Sequence, residues 1–166
     1  MADQIKTEIP AFWQVLTLRF VDCRSPVWYT PNNQPVDVVP KGRLVAVDCQ
    51  IQQSDNKLKP ELLVGLRDAE NYQLLTMGLE TPAALSLIEP LCVLPDSLIR
   101  SHITLYHEFC PDFTESFIQF VIQCHCKLLN VPLSDRTVWP QLCMRRLAHL
   151  QQKLDYYSVD FASLGW

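Results

Sequence analysis

Glycine is scarce in this chain. Only four are present among 166 residues, at positions 42, 65, 78 and 165. None belongs to a phosphate-cradling loop or a dinucleotide fingerprint, which need clustered glycines so that backbone amides can approach an anion. Nucleotide chemistry of those kinds is excluded. The chain also lacks an HExxH pair, an EF-hand loop and a serine nucleophile elbow. No helix-compatible segment offers the roughly 20 uninterrupted apolar residues that a bilayer span requires. The opening MADQIKTEIP has no basic segment followed by an apolar run, so no secretory signal is expected.

What is present is globular. Apolar residues make up 48% and charged residues 19%, enough for one domain with a substantial core. The seven cysteines (Cys23, Cys49, Cys92, Cys110, Cys124, Cys126 and Cys143) are odd in number and mostly embedded in apolar runs. Buried, reduced thiols in an intracellular, cytoplasmic protein fit that pattern better than a disulfide framework, and nothing in it excludes the nucleus. The net charge of −4 argues against broad nucleic-acid affinity. Its distribution is uneven, however: Lys127, Arg136, Arg145, Arg146 and Lys153 face only Asp135, whereas the stretch from Asp48 to Glu115 is acidic. Such asymmetry points to complementary surfaces.

Along the chain, FWQVLTLRFVD alternates from Phe12 to Asp22 as a strand does. A Pro-rich connection from Ser25 to Gly42 leaves room for short edge strands near Trp28 and Val36–Val39. RLVAVDCQIQ is the cleanest strand, with Val45, Val47, Cys49 and Ile51 expected on one face. SDNKLKP, from Ser54 to Pro60, reads as a polar loop. ELLVGLR and YQLLTMGL then pair as a hairpin across Asp68–Asn71. Pro82 suits the first position of a short helix that Pro90 would end.

The remainder reads as helical. DSLIRSHITLYHEF, opening at Asp96 or Ser97, puts Leu98, His102, Leu105 and Phe109 on one face. Asp112 and Glu115 form a capping box for a central helix to Asn130, with Phe113, Phe117, Phe120, Cys124 and Leu128 at helical spacing. It is apolar nearly all round, so Phe117, Val121 and Cys124 are expected to be deeply buried. A last helix, Val138 to Tyr157, has an apolar seam of Cys143, Leu147, Leu150, Leu154 and Tyr157. The expected architecture is α+β in a single domain. A small antiparallel sheet or partial barrel (12–78) is packed by three to four helices (81–157), and an apolar tail (158–166) follows.

His107, Cys110, Cys124, His125 and Cys126 suggest zinc by residue type. On a helix, Cys124 and Cys126 would point about 200° apart and could not share an ion, so no metal and no cofactor are expected. A thiolate at Cys110, activated by His107, would sit at an electronegative helix end, which disfavours it. With no catalytic constellation, the expected function is a non-catalytic interaction or assembly subunit. Its partner would be a protein with an acidic patch, bound through Arg145, Arg146, His149, Lys153, Tyr157, Phe161 and Trp166, together with Trp28 and Tyr29. The alternative is a nucleic-acid-binding OB-like sheet using Trp28, Tyr29, Lys41 and Arg43. A thiol- or zinc-dependent enzyme is a weaker third.

Overall fold

The computed structural model describes residues 13–19, 27–54, 57–69, 71–79, 81–93, 101–110, 117–124, 127–129, 145–146 and 148–149. Among the described residues, nine strands form one sheet. They are β1 (Gln14–Leu18), β2 (Trp28–Tyr29), β3 (Pro35–Val36), β4 (Lys41–Ser54), β5 (Lys57–Asp68), β6 (Asn71–Gly78), β7 (His102–Cys110), β8 (Phe117–Cys124) and β9 (Lys127–Leu129). The spatial order is β3-β2-β1-β6-β5-β4-β7-β8-β9. Every pairing is antiparallel except β1 with β6, which is parallel. The helix α1 (Pro82–Val93) lies between β6 and β7 in sequence and packs mainly on β8.

The expected set of three to four packed helices is therefore wrong. The stretch assigned to a central helix forms β8 and β9, and DSLIRSHITLYHEF contributes β7. The text supports both periods. Ile118, Phe120, Ile122 and Cys124 are buried and alternate with half-exposed Gln119, Val121 and Gln123. That is strand periodicity, and the β-branched and aromatic content favours it over a helix. Val121 is accordingly not a core residue, Cys124 is, and the Phe117 side chain lies outside the described residues. In β7, buried Ile103 and Leu105 alternate with outward His102, Thr104 and Tyr106 in the same way.

Other expectations fare differently. The β5–β6 hairpin forms with Asp68 opposite Asn71, and Ala69 takes the left-handed conformation (φ 54°) that such a two-residue turn needs. The expected loop SDNKLKP is instead a hairpin tip, since Ser54 pairs with Lys57. In α1, Thr81 caps the helix, its hydroxyl oxygen accepting from the Ala84 amide at 3.3 Å, and Pro82 occupies the first turn. Pro90 does not stop this helix, which continues to Val93. Arg145, Arg146, Ala148 and His149 are helical, within the stretch expected to form the last helix, whose other residues lie outside those described.

The sheet curls into an open half-barrel. Trp28 on β2 and Phe120 on β8 stack with ring centroids 5.8 Å apart. In sheet order, six steps separate β2 from β8. In a flat sheet that would be roughly 29 Å at about 4.8 Å per step, so only curvature brings the rings together. The inner face holds the main core, including Leu16, Leu62, Val64, Leu75, Met77, Leu105 and Ile122, with α1 contributing Leu85, Leu87, Ile88 and Leu91. The helix also completes the edge of β8 beyond β9: the Phe120 amide donates to Ser86 Oγ at 2.8 Å, and that hydroxyl donates to the Ala83 carbonyl at 2.8 Å.

The outer face carries a smaller cluster of Trp13, Ala46, Leu63 and Leu74. A bulge makes it possible. Leu44 pairs with Leu66 but Ala46 with Gly65, so Val45 is extra and both Val45 and Ala46 turn outward. Leu44 and Val47 remain in the inner core, so the simple alternation expected from Val45 onward breaks at this point.

Candidate functional site

The outer face of the sheet assembles one row from four strands. Tyr72 on β6 lies opposite Arg67 on β5, Arg67 opposite Arg43 on β4, and Arg43 opposite His102 on β7. Two residues further along the ladder, Lys41 lies opposite Thr104. Gly42 holds the two arginine-bearing strands close. A Cβ there would stand 2.7 Å from the Arg67 carbonyl carbon and oxygen, and its φ of +145° suits only glycine.

Arg67 is held from two sides. Its Nε–H donates to the Ala69 carbonyl at 3.1 Å, and its guanidinium carbon lies 5.4 Å from the Tyr72 ring centroid. Tyr72 in turn meets Trp13 edge-on at 5.2 Å. Trp13 lies over Gly65, where a Cβ would come within 3.2 Å of the indole. Thus the outer cluster fixes the tyrosine that fixes the arginine. His102 Nε2 is 3.3 Å from Asp68 Oδ1, an exposed contact. Among the described residues, no carboxylate lies within ion-pair distance of Lys41, Arg43 or Arg67. Two arginines directly opposite each other repel, which works against the pairing of β4 with β5.

Beside this basic row runs an apolar one. Tyr106 on β7 lies opposite half-exposed Val121 on β8 and is 43% exposed. Val39, 46% exposed, precedes Pro40, whose carbonyl accepts the Leu105 amide at 2.8 Å and so brings that segment beside β7. Tyr106 and Val39 are the exposed large hydrophobic residues of the described surface. Along β7 the two rows are four residues apart, about 13 Å.

The residues expected at a partner surface fall in several places. Trp28 is 1% exposed and belongs to the core. Tyr29 is half-buried, with the Arg19 guanidinium 6.0 Å from its ring centroid. Arg145 and His149 are exposed. Arg146 turns toward α1: its guanidinium is 3.9 Å from Glu89, which is buried, and its carbonyl accepts from Cys92 Sγ at 3.1 Å. Lys153, Tyr157, Phe161 and Trp166 lie outside the described residues. Lys41 and Arg43 were visible in the sequence as cations near a strand start. Arg67, Tyr72 and His102 were missed, although Arg67 ends a strand in step with Gly65 and Leu63.

For metal chemistry, the described residues hold no group of three His, Cys, Asp or Glu side chains suited to an ion. His107 and Cys124 occupy registers opposite Phe120 and Ile103, so they are about 13 Å apart along the β7–β8 ladder. The helical argument against pairing Cys124 with Cys126 lapses, because Cys124 is on a strand; Cys126, with Cys110's side chain and His125, lies outside the described residues. Burial pushes the Cys124 thiol pKa up and the His107 imidazole pKa down, so both favour their neutral forms. Among the described residues no helix is long and apolar enough to cross a membrane. No protein-family model, curated protein or solved structure matches this chain.

Proposed function

We propose that this chain is a non-catalytic binding subunit that docks an acidic segment of a protein partner across the outer face of its sheet. The observation that carries the reading is the facing pair Arg67–Arg43, with Lys41 two residues along the same strand and His102 at the next place in the row. The arginines are set side by side at a cost to the fold, with no carboxylate answering Lys41 or either arginine among the described residues. A partner's carboxylates would remove that repulsion on binding. The neighbouring Tyr106, Val39 and Val121 supply an apolar anchor of the kind interfaces use.

A protein partner fits this face better than a nucleic acid. Base stacking needs a free aromatic face. Tyr72 is covered by Arg67 and flanked by Trp13, Tyr29 carries Arg19, and Trp28 is in the core. Glu108 shares the outer face, and the chain's net charge is −4, which discourages a long polyanion. Arg145 and His149 remain as further exposed basic positions.

The test is fluorescence anisotropy of the full chain with labelled poly-L-glutamate and, separately, a labelled single-stranded oligonucleotide. Poly-glutamate should bind in a salt-sensitive manner, weakening at least about tenfold in an Arg43→Glu/Arg67→Glu variant that retains its circular dichroism spectrum. Absence of poly-glutamate binding, or affinity unchanged by the charge reversal, would remove the reading. Tighter binding of the oligonucleotide would replace it with the nucleic-acid alternative.

A further inference from the structure

We infer that the acidic group received between Arg43 and Arg67 is a phosphate monoester on the partner's chain; the inference rests on the docking reading above. Charge matching carries it. A carboxylate brings one negative charge and is satisfied by one guanidinium in a two-pronged contact. Here two arginines are register partners on adjacent strands, with side-chain origins about 5 Å apart, and Lys41 lies two residues along from Arg43, at the next position on the same face. A single carboxylate leaves at least one of these cations unanswered. A phosphate monoester carries close to two negative charges at neutral pH and presents three acceptor oxygens, so it can bridge both arginines at once.

The state of Arg67 adds a second, independent reason. Its Nε–H is committed to the Ala69 carbonyl, and its plane is held near Tyr72. The terminal nitrogens are thus left as its donors, on a side chain that has already lost much of its rotational freedom. Ordering it on binding costs correspondingly little. Arg43, exposed and opposite, supplies the mobile half of a clamp. His102, beside Arg43 and held by Asp68, closes the row on the far side. Arginine suits this task better than lysine because its planar fork matches phosphate oxygens in pairs.

The experiment is titration of the full, 15N-labelled chain with N-acetyl-phosphoserine amide and with N-acetyl-glutamate amide at matched ionic strength, following the arginine Nε–Hε resonances. The Arg43 and Arg67 signals should shift saturably with the phosphoserine probe, and the glutamate probe should bind at least about tenfold more weakly. Arg43→Gln should abolish the selectivity, and Arg43→Lys should lose most of it while keeping the charge. Equal affinity for the two probes, or phosphoserine binding unchanged by Arg43→Gln, would overturn the inference. If poly-glutamate still binds in that event, only the phosphate assignment falls. If neither probe nor poly-glutamate binds, the docking reading falls with it.

Discussion

The stack of Trp28 on Phe120 is the contact that distinguishes a curled sheet from a flat one, and its energy can be measured. Both side chains are fully buried, and they approach from the second strand at either end of the sheet. Replacing each by alanine would cost about 3–5 kcal/mol, and the pair together would approach the whole stability of a domain, typically about 5–15 kcal/mol. Leucine is the better probe, because it keeps an apolar side chain while removing the ring. In a double-mutant cycle of Trp28→Leu and Phe120→Leu, stacked rings should couple by about 0.5–1.5 kcal/mol beyond the area they bury. The assay is urea unfolding followed by far-ultraviolet circular dichroism, since loss of Trp28 alters fluorescence directly. Coupling no larger than about 0.3 kcal/mol, the scatter expected of independent sites, would refute the curl and the core built upon it.

Gly42→Ala should destabilise the fold by about 1–3 kcal/mol and reduce poly-glutamate binding, because the new methyl meets the Arg67 backbone and the positive φ of +145° strains any residue with a Cβ; thermal melts and the anisotropy assay check both effects. Because burial lowers the His107 pKa, the unfolded chain binds more protons just below the ordinary value near 6.5. Stability should therefore rise with pH through the window between the folded value and about 6.5, and fall on acidification. Chemical denaturation from pH 5 to 8 should show a slope there that His107→Gln diminishes, and an unchanged slope would contradict the assignment. Cys124, buried and with its thiol pKa raised, should resist iodoacetamide in the native state and react once unfolded. Rapid native labelling at Cys124, located by mass spectrometry, would show that the thiol is accessible after all.

Sequence alone determined the local features whose physics is local. The alternation in Gln14–Leu18, the turn at Asp68–Asn71 and the Thr81–Pro82 start of α1 each depend on neighbours a few residues away, and each stands where expected. The stretches from His102 to Cys110 and from Phe117 to Cys124 were open to two readings. Their apolar residues satisfy both a helical and an alternating period, and only pairing of β7 with β4 and β8 decides between them. The outward turn of Val45 depends on a bulge against β5, and the burial of Trp28 on a strand far away in the sheet. The candidate site belongs to the same class. Lys41 and Arg43 were legible as cations on one strand, but their meaning comes from Arg67, Tyr72 and His102, contributed by three other strands. Tertiary structure alone brings them into one row, because a strand's sequence records which residues share its face and nothing about which strand lies beside it.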